Sequence, residues 1–234
     1  EEFGFDDGAG FEDDYGLSYS QDFLGDSVDE GAGSSPGSIC LSEEKVLEEC
    51  KEAIRESSEL FSVSDSNTAA ILRHFHWNKE KAIAQVLEDR AGVFKKVGIT
   101  EGKIKSGDKR KRNLSCLVCM ESVPGEKSFA LACGHRYCLV CWEDYLKYEV
   151  QDGPTCVTTK CINPNCDELV DDLAYKRIVN KETMEKYLRH FYRSFVVDNP
   201  RVKWCPAPDC TMAIRVDQRD VREPVTCGCG FTFC

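Results

Sequence analysis

Two kinds of segment are missing from this 234-residue sequence. No apolar run approaches the roughly 18 residues that a membrane-spanning helix needs. The start EEFGFDDGAGFEDDYG lacks the basic flank and apolar centre of a signal peptide. We therefore expect no membrane insertion and a reducing, cytoplasmic environment. In such an environment the fifteen cysteines of the chain are more often zinc ligands than disulfide partners.

Positive charge is missing from residues 1–40, which contain eleven Asp or Glu and no Lys or Arg. The net charge of −11 comes from this segment alone, and residues 41–234 are neutral. Because nucleic-acid binding needs a basic face, we expect no nucleic-acid partner. Near its end, residues 31–38 have the sequence GAGSSPGS. The segment is predicted to be a disordered acidic tail. Alternatively it is an interaction arm, with Phe3, Phe5, Phe11 and Tyr15 as anchors.

Apolar residues at helical spacing predict a three-helix module over residues 41–93. In the first helix Val46, Leu47, Cys50, Ala53 and Ile54 form the apolar stripe, with Ser42 as N-cap. The third helix opens at Asn78 and is expected to bury Ile83, Val86 and Leu87. Residues 94–112 are predicted to be a basic linker. Its run KIKSGDKRKR is either a solvated spacer or a nuclear-import signal, so nuclear entry is an alternative to a purely cytoplasmic location.

Cysteine knuckles dominate the sequence from residue 116 onwards, as CLVC, CGHRYCLVC and CINPNC. Two knuckles can supply the four ligands of a tetrahedral zinc ion, so eight ligands predict two zinc ions in residues 113–172. Such a short segment has little core of its own, and zinc binding can make its folding favourable. By spacing alone the last knuckle could be Cys156 with Cys161 or Cys161 with Cys166. The turn-forming INPN favours Cys161 with Cys166, because VTTK favours extended chain.

A second cysteine block, residues 201–234, follows a connecting helical region at residues 173–200. The helix is expected to place one broad apolar face over Met184, Tyr187, Leu188, Phe191, Tyr192 and Phe195. Four cysteines after it can close a third zinc site: Cys205, Cys210, Cys227 and Cys229. Cys234 is then surplus.

The histidine in fourth place between Cys133 and Cys138 makes residues 113–172 resemble a RING domain. In that family the two zinc sites interleave, which implies one ligand set of Cys116, Cys119, Cys138 and Cys141. The other set is Cys133, His135, Cys161 and Cys166. The later motifs WCPAPDC and CGCGFTFC resemble the in-between-RING domain of RING, in-between-RING, RING ubiquitin ligases. The motif ILRHFHWNKEKA resembles the ubiquitin-associated-like (UBA-like) module of their Ariadne group.

These resemblances imply a fold of small zinc-stapled domains plus α-helices. A disordered acidic tail precedes a three-helix UBA-like module, a cross-braced RING, a connecting helix and an incomplete in-between-RING domain. The resemblance implies three complete zinc sites and a fourth that begins at Cys234, with its other ligands and the second RING beyond the sequence. No catalytic cysteine is then expected in this chain.

The family mechanism implies that the first RING recruits a ubiquitin-charged conjugating enzyme, with Val118 in the docking surface. A cysteine of the second RING then takes ubiquitin as a thioester and passes it to a substrate lysine. Asp167 stands where ordinary RINGs place a basic residue that favours direct transfer, and an acid cannot make the same hydrogen bonds. The UBA-like module would bind a ubiquitin-like modifier on a neddylated cullin-based ligase. The alternative function is a non-catalytic zinc scaffold that binds conjugating enzymes or ubiquitin-like modifiers.

Overall fold

The computed structural model describes residues 38–100, 113–216 and 224–233. Residues 1–37 of the predicted tail, the basic run at residues 103–112 and Cys234 lie outside the described residues. The predicted end of the tail at residue 40 is wrong, because strand β1 spans Ser38–Leu41. Its backbone pairs with a strand near the other end of the chain, which gives these residues hydrogen-bond partners.

Three helices follow β1 and form the UBA-like module: α1 (Glu43–Phe61), α2 (Asp65–His74) and α3 (Lys79–Glu88). The predicted caps are confirmed, since the side chains of Ser42 and Asn78 accept backbone hydrogen bonds from Lys45 and Lys81. Of the predicted apolar stripe of α1, Val46, Cys50 and Ile54 are buried, while Leu47 and Ala53 are half-buried. On α3 the prediction for Leu87 is wrong: the helix turns Ala82 and Val86 inward and leaves Leu87 80% exposed.

A fourth helix, α4 (Arg90–Val97), carries the module past its predicted end at residue 93. Asp89 caps it by accepting a hydrogen bond from the Gly92 amide at 2.8 Å. The helix ends at Gly98, whose φ of +83° lies in the left-handed region that glycine tolerates best. The Leu169 amide then donates to the Gly98 carbonyl at 2.7 Å. The module is therefore joined by backbone to the segment that follows the second set of RING ligands.

Short hairpins and one helix make up residues 113–170. Strand β2 (Leu114–Ser115) pairs with β3 (Ser122–Val123), and β4 (Ser128–Ala130) pairs with β5 (Arg136–Cys138). Helix α5 (Leu139–Asp152) follows at once, and a 3-10 turn spans Pro154–Thr158. Trp142 of α5 is fully buried and donates its indole N–H to the Phe129 carbonyl at 3.1 Å. Its ring also packs edge-on against Phe129 and Tyr137, with ring centres 5.9 and 6.1 Å apart.

Two helices lead from this region to the last sheet: α6 (Asp172–Ile178) and α7 (Lys181–Asp198). As predicted, α7 buries Tyr187, Phe191 and Phe195, while the other members of its apolar face are half-buried. Strands β6 (Val202–Trp204) and β7 (Ala213–Val216) follow, then the hairpin of β8 (Val225–Thr226) and β9 (Thr232–Phe233).

Strand β7 is the centre of a three-stranded antiparallel sheet in the order β1-β7-β6. In its register Ser38 lies opposite Val216 and Leu41 opposite Ala213. The Arg215 guanidinium on β7 also pairs with the Glu49 carboxylate on α1. The segment before the UBA-like module is thus part of the sheet that carries the last cysteine block.

One apolar core runs through the UBA-like module, the RING region and α7, from Leu41 to Ala213. A second, smaller core lies under the last cysteine block and consists of Cys205, Ile214, Val225 and Cys227. Among the described residues, no helix has both the length and the apolar character required to cross a membrane.

Candidate metal centres

The first ligand set gathers Cys116, Cys119, Cys138 and Cys141, whose Sγ atoms all lie within 4.8 Å of one another. The β2–β3 hairpin carries the first pair. The second pair lies where β5 ends and α5 begins, because Cys138 is the N-cap of α5 and its Sγ accepts the Cys141 amide hydrogen bond. The Sγ atoms of Cys119 and Cys138 are 3.9 Å apart.

The second set gathers Cys133, His135, Cys161 and Cys166 within the same 4.8 Å limit. Cys133 and Cys161 place their Sγ atoms 3.7 Å apart, and Nδ1 of His135 lies 3.8 Å from Sγ of Cys161. Cys133 and His135 precede the second pair of the first set along the chain. The two sets therefore interleave, as the RING resemblance implies.

Cys166, and not Cys156, lies with the second set. Between Cys161 and Cys166, the Asn163 side chain accepts the Asn165 amide at 2.9 Å, which forms the expected turn. Cys156 lies in the 3-10 turn and is 1% exposed, and burial raises the pKa of its thiol to about 12. The expectation of extended chain after Cys156 is wrong at Val157 and Thr158, which belong to that turn.

The third set gathers Cys205, Cys210, Cys227 and Cys229. Two Sγ pairs are close: Cys205 to Cys229 at 3.7 Å, and Cys210 to Cys227 at 3.8 Å. The β8–β9 hairpin brings Cys227 and Cys229 to the segment between β6 and β7. They are the same four residues that the sequence predicts for the third site.

A fifth thiol lies beside this third set, and the sequence did not indicate it. Sγ of Cys40 on β1 is 3.8 Å from Sγ of Cys227 and accepts a hydrogen bond from the Gly228 amide at 3.2 Å. Cys40 therefore does not belong to the disordered tail predicted for residues 1–40. The pairing of β1 with β7 brings it here, and that contact between residues 187 positions apart has no local sequence signal.

The donor sets fit tetrahedral zinc. A zinc–thiolate bond of about 2.3 Å in a regular tetrahedron places neighbouring sulfur atoms about 3.8 Å apart. Four Sγ pairs, with at least one in each set, lie 3.7 to 3.9 Å apart. Every described cysteine is a free thiol, so no disulfide competes for these ligands among the described residues. Thiolate and imidazole donors also favour zinc, whereas magnesium and calcium favour oxygen ligands.

Apolar side chains project from the loop of the first ligand set. Val118 is 52% exposed, and its neighbours Leu117 and Met120 are 69% and 74% exposed. Large apolar side chains grouped on a surface are typical of an interaction site. Asp167, next to the last ligand of the second set, is exposed and forms an ion pair with Lys160 at 2.6 Å. That hydrogen bond lowers the pKa of Asp167, so the position carries a negative charge.

No cysteine outside the ligand sets is placed as a nucleophile in the described part of the chain. Cys50 is fully buried in the UBA-like module, and burial raises the pKa of its thiol far above the ordinary value. Cys156 is buried in the same way, and Cys40 lies against the third set. A reactive cysteine needs access and a lowered pKa, which neither buried thiol has.

Interleaved ligand sets, a connecting helix and a third four-cysteine set define the class of zinc-finger proteins that join a RING-like domain to an in-between-RING domain. Two family models match parts of the chain. Residues 185–234 match the IBR domain, "a half RING-finger domain". Residues 48–88 match the "E3 ubiquitin-protein ligase ARIH1, UBA-like domain".

Curated relatives extend the match to most of the chain. The probable E3 ubiquitin-protein ligase rbrA of Dictyostelium discoideum is 38% identical over 197 residues, which are 83% of this chain and 38% of the relative. ARI7 of Arabidopsis thaliana, also named a probable E3 ubiquitin-protein ligase, is 34% identical over 98% of this chain and 40% of its own length. The E3 ubiquitin-protein ligase ariadne-1 of Drosophila melanogaster is 32% identical over 83% of this chain and 40% of its own.

The chain belongs to the Ariadne family of RING, in-between-RING, RING proteins. It spans about two fifths of the length of these curated relatives.

Proposed function

We propose that this chain is the recruiting part of a ubiquitin ligase of the RING, in-between-RING, RING type. The supporting observation is the pair of interleaved ligand sets with the exposed apolar loop of Leu117, Val118 and Met120 at one of them. This loop docks a conjugating enzyme that carries ubiquitin. In the whole protein a cysteine of a second RING accepts ubiquitin as a thioester and passes it to a lysine. The relatives named as E3 ubiquitin-protein ligases support the same activity.

Docking is tested by placing a charge in the apolar loop. Val118→Arg should weaken binding of a ubiquitin-loaded conjugating enzyme at least about tenfold, a loss of about 1.4 kcal/mol, because the guanidinium cannot be buried unpaired in the contact. Leu173→Arg on α6 is the matched control, since Leu173 is 48% exposed and lies outside the loop. Calorimetry with a panel of loaded conjugating enzymes measures both. Equal loss in the two variants, or none in either, contradicts the docking site.

Asp167 favours transfer to a cysteine over direct transfer to lysine. An arginine there could donate hydrogen bonds that hold ubiquitin in a reactive pose. Asp167→Arg should therefore increase discharge of the loaded conjugating enzyme onto free lysine, as followed by loss of the thioester band. Asp167→Asn removes the charge without adding a guanidinium and should leave the rate unchanged. If Asp167→Arg also leaves it unchanged, the proposed role of Asp167 is wrong.

We also propose that the three ligand sets each bind one zinc ion. Elemental analysis should find three zinc ions per chain. Cys166→Ser should lose one of them because it removes a ligand of the second set, while Cys156→Ser should lose none because that thiol lies in the apolar core. The reverse result would show that Cys156 is the ligand. Cys234, the expected start of a fourth site, lies outside the described residues.

The UBA-like module is proposed to bind a ubiquitin-like modifier on a neddylated cullin-based ligase, and the protein to act in the cytoplasm or also the nucleus. The match to the ARIH1 type of module supports the first proposal.

A scaffold that only binds conjugating enzymes is the competing function. On the whole protein, a reducible ubiquitin adduct formed with an active conjugating enzyme supports the ligase, and its absence supports the scaffold.

A further inference from the structure

A large groove lies where the UBA-like module, the RING region, α7 and the third ligand set meet. Its volume is about 1150 Å³. Four Lys or Arg side chains line it: Arg73, Lys96, Lys160 and Arg193. Glu43 and Asp198 are the acidic residues of the lining, and Lys160 is paired with Asp167, so the excess of positive charge rests on Arg73, Lys96 and Arg193. Three of the four histidines of the chain also line it: His74, His76 and His190.

Arg73 lies in the lining of this groove and is partly buried. One of its Nη atoms donates to the Val157 carbonyl at 2.9 Å, and its guanidinium lies 5.2 Å from the centre of the Phe191 ring. Its Nε and other Nη atoms are buried and have no hydrogen-bond partner among the described residues. The guanidinium favours an anionic group in the groove, because arginine forms strong charge-assisted pairs with carboxylates.

Apolar side chains accompany the positive charge. Val97 and Trp204 line the groove, and so does Val197, which is 64% exposed although it lies near the end of a packed helix. A ligand that carries carboxylates and apolar rings would match both features. Cys210 is the one ligand-set residue in the lining, and the loop of Val118 does not contribute to it.

The N-terminal segment, residues 1–37, has this chemistry. It contains eleven Asp or Glu and no Lys or Arg, while residues 41–234 are neutral. Its aromatic residues include Phe3, Phe5, Phe11 and Tyr15. These charges and rings have no role in the proposed recruitment of a conjugating enzyme.

The segment is also tethered beside the groove. The segment leads directly into β1, whose Leu41 lies opposite Ala213. Glu43 and Thr211, each two residues from that pair along the chain, line the groove. A chain of this length has a mean end-to-end distance of about 35 Å, and its full extension is about 120 Å. Reach is therefore no obstacle. Tethering gives the segment an effective concentration of about millimolar at the groove, so weak charge pairing is sufficient for occupancy.

We propose that the acidic N-terminal segment, residues 1–37, is the intramolecular ligand of this basic groove. Carboxylates of the segment pair with Arg73, Lys96 and Arg193, and its aromatic rings cover the apolar wall. The bound segment bridges the UBA-like module, α7 and the third ligand set.

Zero-length carbodiimide cross-linking of the whole chain tests this placement. The segment contains no lysine, so a cross-link from one of its side chains to a lysine must start at an Asp or Glu of the segment. At low ionic strength, cross-links to Lys96 and Lys160 should be about tenfold more abundant than those to Lys127 and Lys181, which are exposed outside the groove. At about 0.5 M salt this preference should largely disappear, because the screening length falls below about 5 Å.

A charge reversal supplies the matched control. Arg193→Glu should reduce the cross-links to Lys96 and Lys160 several-fold, whereas Arg201→Glu, at an exposed arginine outside the groove, should leave them unchanged. Equal zinc content and circular dichroism establish that both variants are folded. The proposal is overturned by cross-links spread evenly over all lysines or by none from the segment. It is also overturned by cross-links found only between labelled and unlabelled chains, which would place the segment on a second copy.

Discussion

At the scale of single residues, Asp172 shows how burial opposes charge. Its carboxylate accepts a hydrogen bond from the Tyr187 hydroxyl at 2.9 Å, and its amide donates to Ser66 at 3.0 Å. Burial of the carboxylate raises the pKa of Asp172 even though these groups and nearby Arg73 act in the opposite direction. The folded protein therefore keeps this proton at pH values where the unfolded chain has released it.

Asp172→Asn should consequently change how stability depends on pH. For an acid with a raised pKa, stability falls as pH increases from the ordinary value of 3.8 through the folded-state value, then levels off. Asparagine cannot ionise, so the variant should gain free energy of unfolding relative to the parent over that window. Urea unfolding at a series of acidic pH values measures the difference in free energy of unfolding between variant and parent. Loss of metal at low pH affects both proteins alike, because they have the same ligands, and so it cancels in this difference.

Asp167→Asn should change the pH dependence of stability in the opposite direction. The hydrogen bond from Lys160 lowers the pKa of Asp167, so its ionised form stabilises the folded state at pH values above the ordinary pKa, and the variant should lose that stabilisation. Parallel curves for the Asp172 variant and the parent would contradict the burial argument.

Gly98 follows the last residue of α4 and also lies against Asp167 of the RING region. A Cβ at this position would lie 2.1 Å from the Asp167 carbonyl oxygen. Gly98→Ala should therefore lower the free energy of unfolding by the cost of a left-handed alanine, about 1 kcal/mol, plus the cost of separating α4 from residues 167–169. Gly134→Ala is the matched control, because Gly134 has a φ of +79° and open space around its Cα. Equal losses in chemical unfolding would show that the contact with Asp167 contributes nothing.

At the scale of secondary-structure elements, local signals predicted α1, α3 and α7 well. Ser42 and Asn78 cap helices as expected, because a cap depends only on residues a few positions apart. Spacing likewise indicated the ligand sets, since each knuckle is local, but the choice of Cys166 over Cys156 needed the turn chemistry of INPN as well. The end of the acidic tail was wrong because β1 forms only through its pairing with β7. The exposure of Leu87 and the place of Cys40 depend on long-range packing in the same way.

Strand β1 offers a test of this long-range pairing. Leu41 is 3% exposed and belongs to the main core, whereas Ile39 on the same strand is 40% exposed. Leu41→Ala should destabilise the protein by about 2 to 4 kcal/mol, and Ile39→Ala by less than about 1 kcal/mol. Amide exchange of Ala213–Val216 should accelerate in the first variant only. If residues 38–41 belonged to an unattached tail, both substitutions would be silent.

At the scale of the whole molecule, the UBA-like module, the RING region and α7 share one core. Trp77 of the module packs edge-on against Phe195 of α7 with ring centres 4.7 Å apart. Arg73 reaches the Val157 carbonyl, and Leu169 donates to Gly98. A module of about 55 residues has little core of its own and gains stability from such contacts. The third ligand set instead lies on its own small core.

Removal of a RING ligand should therefore also destabilise the UBA-like module, although that module contains none of the proposed zinc ligands. Cys166→Ser should weaken amide protection of Ile54, Ile71 and Leu72, which are buried in the module. Cys229→Ser in the third set should weaken it less, because the smaller core separates that set from the module. Hydrogen exchange at equal zinc supply measures both variants. Unchanged protection in Cys166→Ser would show that the module folds independently of the RING, and equal loss in both would show that all three sets form one cooperative unit.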